Sequence, residues 1–321
     1  MWKASFQALS YEWGHDGDLG GHIFINGLLE PNPIRRNLEL VLRTVRDRTK
    51  EKVLWIDSIC INQHDPIERG QQVAMMGDIF SAATGVIAWL GPEAKGSGTA
   101  MDLIENTRKL ETRMCLDRDL SESEMQALII LLHRTYWRRV WVIQELLMAK
   151  TCEIRCGSKI ITRMQFNNFL GCINRPGTQF EDRKWAKARA GNPAEAHRLA
   201  HEFNIPGTTF KRLNTLRIWL RRCYKSGFEA TDPRDLIYAL IGAADDVPRG
   251  HLVPNYEGTI REALVQAVPY VRDDVSPWSP SAAQSLAFFM VQYAERMGLS
   301  AEDDLLQEIL DIMNERPVLS Q

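Results

Sequence analysis

Two wholly apolar segments separated by a helix-length stretch constrain this chain most. Val53 to Asp57 (VLWID) and Thr84 to Gly91 (TGVIAWLG) carry no polar alternation, and between them Val73, Met76, Ile79 and Phe80 recur at helical spacing. Strands that are apolar on both faces belong in a parallel sheet covered on both sides, so the segment reads as strand, helix, strand in an α/β layer. An earlier short apolar run, Phe6 to Tyr11, fits a third strand of that sheet and ends in the turn-forming residues Gly14 to Gly21. HIFING then alternates up to Asn26-Gly27, a pair suited to a tight hairpin, and a helix carrying Leu38, Leu40, Val41, Leu42 and Val45 is expected to start at Asn37.

Ser121 and Glu124 fit a capping box that opens a helix through Leu132, and a second helical run is predicted over Tyr136 to Ala149. CEIRCG alternates, which puts Cys152, Ile154 and Cys156 on one strand face as core thiols. From about Arg175 to Thr209 the chain turns polar, and Leu213 to Tyr224, the residues behind Asp232-Pro233 and those from Ile260 onward read as helices, with a break at SPWSP (276–280). The expected organisation is an α/β core over 1–174, a polar insertion or linker over 175–212 and a mainly helical part over 213–321 packed on the core.

The balance of 39 Lys plus Arg against 41 Asp plus Glu leaves a net charge of -2, which offers no field for nucleic acid or anionic lipid. No run approaches the roughly 18 apolar residues of a membrane span. Six scattered cysteines and a start without a basic, apolar leader point to a reducing, cytoplasmic setting. Neither CxxC nor HExxH occurs, so no metal is expected. The glycine-rich GHDGDLGG (14–21) matches neither phosphate-loop pattern and reads first as a surface turn. Cys60 and His64 lack a third orienting residue for thiol catalysis.

Four stretches resemble the HET (heterokaryon incompatibility) family of fungi: ALSYEWG (8–14), LWIDSICINQHDPIERGQQVAMMGDIFSAATGVIAWLG (54–91), YWRRVWVIQELLMAK (136–150) and DPRDLIYALIGAADD (232–246). They stand in the family's order and are rich in rare Trp and Cys. The resemblance implies an incompatibility and programmed-cell-death role. A second likeness is to TIR domains: FQALSYEWGHD, VLWIDSICINQ and WVIQEL follow the order of strand A, strand B and the WCxxEL helix, with Val142 in the place of the Cys. It implies a flavodoxin-like parallel sheet flanked by helices, here with a small β-hairpin insertion.

Ligands of open α/β sheets sit beyond the carboxyl ends of the strands. Ser10, Tyr11, Trp13, Asp57, Cys60, Asn62, Gln63 and Arg69 fall in the segments that should meet there. Such side chains either cap the turns of a long polar loop over 57–72 or wall a pocket. Glu145 follows Trp141 by one helical turn in apolar surroundings, and it is either tied to Arg138, Arg139 or the polar loop as a structural pair or a catalytic carboxylate. The TIR likeness implies NAD as substrate, cleaved between nicotinamide and ribose. Glu145 would then hold the ribose and its developing positive charge, and Trp141 or Trp13 would pack on an aromatic ring. No further cofactor is implied. The competing reading is a non-enzymatic module acting through self-association or a signalling partner protein, and a housekeeping nucleotide hydrolase is disfavoured by the missing phosphate motif.

Overall fold

The computed structural model describes residues 5–25, 32–107, 120–173, 214–272, 279–300 and 303–315. Its centre is a five-stranded sheet in the order β4-β1-β5-β6-β7, with β1 at Gln7–Tyr11, β4 at Leu54–Trp55, β5 at Gly85–Trp89, β6 at Cys152–Cys156 and β7 at Lys159–Thr162. The first four run parallel, and β7 turns back antiparallel on β6, pairing Ile154 with Ile161. This is the expected flavodoxin-like α/β arrangement. All five residues of β5 are buried, as a central parallel strand requires, whereas β6 alternates and buries Cys152, Ile154 and Cys156. A separate two-stranded ribbon of β2 (Leu19–Ile23) and β3 (Asn32–Arg35) is the expected small hairpin. Asn26 and Gly27, the proposed turn, lie outside the described residues.

The strand alternation divides the core. Leu9 and Tyr11 of β1 join Ile87 and Trp89 of β5 on one face, covered by Leu38, Val41 and Val45 of α1 (Arg36–Val45). Ala8, Val86 and Ala88 face the other way into a larger cluster with α3 (Pro66–Ala82), α4 (Ser97–Glu105), α5 (Glu122–Leu132), α6 (Trp141–Leu147) and α7 (Arg163–Ile173). That cluster continues without a break into the helical C-terminal part, made of α8 (Leu216–Ser226), α9 (Asp235–Ile241), α10 (Ile260–Arg272), α11 (Pro280–Arg296) and α12 (Asp303–Asn314). Sheet and C-terminal helices therefore share one hydrophobic interior.

Several boundaries differ from expectation for identifiable reasons. The polar stretch behind Asp57 is mostly helical: a short α2 spans Asp57–Cys60, and α3 begins at Pro66, where the Asp65 carboxylate accepts the N–H groups of Ile67 and Glu68 and the proline supplies the first turn. Polar residues on the outer face of α3 hid it. The single helix expected over Tyr136 to Ala149 is a 3₁₀ turn at Thr135–Arg138 followed by α6, because the Val140 N–H leaves the helical pattern and donates to the Glu229 carbonyl at 3.0 Å. The Ser121–Glu124 capping box is formed as expected. The helix expected from Asn37 starts at Arg36, freeing the Asn37 amide to accept from the Trp89 indole at 3.0 Å. The polar insertion over 175–212 lies outside the described residues.

Gly70 of α3 lies against the loop before α10: a methyl group there would stand 2.7 Å from the Pro254 carbonyl oxygen. Backbone cannot yield as a side-chain tip does, so Gly70→Ala should lower stability by about 1–3 kcal/mol in urea unfolding, despite alanine's better helix propensity. An unchanged or raised midpoint would show that the two segments do not pack as described.

Candidate functional site

The connection from β1 runs to its outer neighbour β4, and the chain then crosses back over β1 to form β5. The crevice at the carboxyl ends of β1 and β5 is therefore the switch point at which parallel sheets of this type bind ligands. Ser10, next to last in β1, turns to the face covered by α6 and is 1% exposed. Its hydroxyl donates to Glu145 Oε2 and lies 2.7 Å from the Tyr136 phenol. A serine has one hydrogen, so Tyr136 donates to Ser10 and Ser10 to the carboxylate.

Glu145 is 2% exposed, and its second oxygen stands 3.5 Å from Arg139 Nη2. Burial raises the Glu145 carboxyl above its ordinary value, while the Arg139 charge and the Ser10 hydrogen bond pull the other way. Burial, with Glu145's charge adding to it, also pushes the Tyr136 phenol well up, so it remains a donor.

On the other face of the strand, Tyr11 is buried with its hydroxyl 2.6 Å from Ser58 Oγ. Asp57 opens α2 and receives the Ser58 N–H at 2.7 Å and the half-buried Trp13 indole N–H at 2.9 Å. Burial raises its carboxyl as well, opposed first by Arg139. The guanidinium of Arg139 is thus the positive charge felt by both Glu145 and Asp57, and each of them in turn holds that guanidinium protonated.

Ser10, Tyr11, Trp13, Asp57 and Glu145 therefore converge around Arg139 at the end of β1. The remaining candidates have other surroundings. Cys60 is exposed, with its sulfur 3.5 Å from the Ile56 N–H. Asn62 accepts the His64 N–H at 3.2 Å, and Gln63 donates to the Asp57 carbonyl at 3.2 Å, both of which brace the turn between α2 and α3. Arg69 and Trp141 face a second polar cluster at the junction with the C-terminal part. There the Trp141 indole donates to Asp235 at 3.1 Å, the Tyr256 hydroxyl donates to the same carboxylate at 2.5 Å, and Arg69 lies 3.6 Å over the Tyr256 ring. Arg234 fastens this junction by pairing with Asp232 and donating to the Tyr256 and Gly258 carbonyls. The buried Gln144 ties three helices together, donating to Ala239 O at 3.0 Å and accepting the Gly77 N–H at 2.6 Å.

Tyr136 and Tyr256 were not singled out from sequence. Tyr136 sits two helical turns and a break before Glu145, and no local spacing links it to Ser10.

A family model described as Heterokaryon incompatibility protein (HET) matches residues 6–145. Heterokaryon incompatibility protein 6, OR allele, of Neurospora crassa is 26% identical over 308 residues, covering 78% of this chain and 45% of that protein. The chain thus spans less than half of that relative's length. No solved structure matches. Among the described residues no helix is long and apolar enough to cross a membrane.

Burial pushes the Asp235 carboxyl from 3.8 up to about 6, against the opposing hydrogen bond from Tyr256 and the charge of Arg69. An acid whose folded value is raised favours the fold while protonated and loses that advantage as pH climbs through the shifted value. Relative to Asp235→Asn, the unfolding free energy of the parent should therefore fall by about 2–3 kcal/mol between pH 4 and pH 7 and stay level above. A difference independent of pH over that range would mean that Asp235 titrates normally.

Proposed function

We propose that this chain, whose residues 6–145 match the heterokaryon incompatibility (HET) family model, is a fungal incompatibility and cell-death module whose Glu145 centre cleaves NAD between nicotinamide and ribose once copies of the domain associate. The observation that carries this reading is the placement of a buried carboxylate, held by Ser10 and answered by Arg139, at the switch point of the parallel sheet. Nicotinamide leaves as a neutral base, so the reaction needs no acid at the leaving group. It needs a negative charge beside the ribosyl centre as positive charge develops there. A carboxylate in a dry setting supplies that stabilisation far more effectively than one in water.

Tyr136 and Ser10 fix the direction of the Glu145 carboxylate, and Arg139 offsets the cost of keeping it ionised. Trp13 is half-buried beside Asp57, where a ring of the substrate would stack. With 2% of Glu145 exposed, the arrangement is a closed one, and association is the event assigned to opening it.

The same 2% favours a second reading, in which Glu145 and Arg139 form a structural ion pair and the domain acts by recruiting partners. Nicotinamide release from NAD, measured with the protein free and with association enforced, separates the two. The first reading expects turnover only in the associated form and a loss of about 100-fold or more in Glu145→Gln. Turnover that Glu145→Gln leaves intact, or cell death without any NAD loss, would establish the second.

A further inference from the structure

Arg139 has more donors than partners. A guanidinium offers five N–H groups. Among the described residues its one hydrogen bond is the long 3.5 Å contact from Nη2 to Glu145, and its buried Nη1 meets no acceptor there. Buried donors almost always have partners, so an orphan inside a charged cluster calls for an explanation, and an arriving anion supplies one. The side chain is not sealed: 18% of it remains exposed, whereas its neighbour Glu145 is 2% exposed. Asp57, close enough for its charge to act on Arg139, and Trp13, which donates to Asp57, are both only part-buried. The guanidinium thus faces a carboxylate in the interior and a half-open rim on the other side.

Its backbone is held from outside the HET match. The Glu229 N–H donates to the Arg138 carbonyl at 2.7 Å and the Val140 N–H to the Glu229 carbonyl at 3.0 Å, a strand-like bridge that brackets Arg139 and interrupts what would otherwise be one helix. With the main chain fixed on both sides, the freedom left to Arg139 lies in its side chain.

We propose that Arg139 is the receiving group for a phosphoanhydride of the substrate, and that Glu145 occupies it in the closed state. Two parallel N–H groups of a guanidinium match the spacing of phosphate oxygens, and a dianionic group outbids a single carboxylate held at 3.5 Å. As the anion draws the guanidinium towards the rim, the Glu145 carboxylate is left with Ser10 and faces the same crevice uncompensated. Binding of the phosphates and exposure of the acidic group thereby become one event. This inference takes its natural ligand from the dinucleotide reading, but its test needs no turnover.

Inorganic pyrophosphate is the probe, titrated calorimetrically into the full chain and its variants. Glu145→Gln removes the competing charge while keeping an acceptor for Ser10, and should tighten pyrophosphate binding by about tenfold. Arg139→Gln placed on that background removes both charges together, so the fold is not left with an unpaired carboxylate at 145, and should abolish the gain. Arg139→Lys on the same background keeps the charge without the fork and should bind several-fold more weakly than arginine. Equal binding by the parent and Glu145→Gln, or binding that survives Arg139→Gln in the double variant, overturns the proposal. NAD cleavage lost in Glu145→Gln but accompanied by unaltered pyrophosphate binding in all variants would refute the role of Arg139 alone. The expected binding pattern without any NAD cleavage would refute the catalytic reading and leave the anion site standing.

Discussion

A carboxylate sealed beneath the end of a parallel strand has to be solvated by the protein itself or lose its charge. Glu145 is in that position, and its surroundings are organised around it. Ser10 reaches it because β1 presents alternate residues to opposite faces. Tyr136 backs the serine because the chain takes a 3₁₀ turn before α6, and Arg139 stands at the break between the two. The two acids, Glu145 and Asp57, both feel the charge of Arg139, so neither can be considered without the other. Such a centre has little to gain in stability from its charges.

The C-terminal helices contribute more than bulk. Glu229 interrupts the helix ahead of Glu145, Asp235 holds Trp141, and Ala239 receives the amide of Gln144, so three consecutive features of the 139–145 segment are set by residues beyond the matched domain. Hydrophobic contact joins the two parts into one cluster, and these polar ties fix the register within it. A rearrangement of the C-terminal part would therefore be felt at Glu145 through the backbone and need not pass through solvent.

The four parallel strands and most helices were legible because their signals are local, as in the unbroken apolar run of β5, the alternation of β6 and the Ser121 box, whereas β7, α4 and α7 were not read. Where tertiary contact overrode local pattern, the reading failed. Tyr136 to Ala149 has a continuous helical period, and only a carbonyl almost ninety residues later breaks it. The start of α3 was hidden for a different reason: Pro66, Glu68 and Arg69 look like loop composition until Asp65 is recognised as their cap. At the site, position could be inferred, for Ser10 and Asp57 from strand ends and for Glu145 from the likeness of WVIQEL to the TIR helix, and these three lie together around Arg139. Direction could not, and Arg69 and Trp141 were placed in the same crevice although their side chains turn to the Asp235 junction.

The outer rim of the sheet at β4 carries a consequence for assembly. This border strand is only two residues long, and Lys50, Glu51 and Lys52 stand shortly before it, with Arg46, Asp47 and Arg48 also lining the adjoining groove of about 510 Å³. A border so brief and so cationic offers little template for another molecule's main chain to zip onto. Polymerisation by sheet extension is discouraged there, so clustering of copies at this border would have to use side-chain surfaces, and its strength would weaken or grow with salt according to the charges those surfaces present.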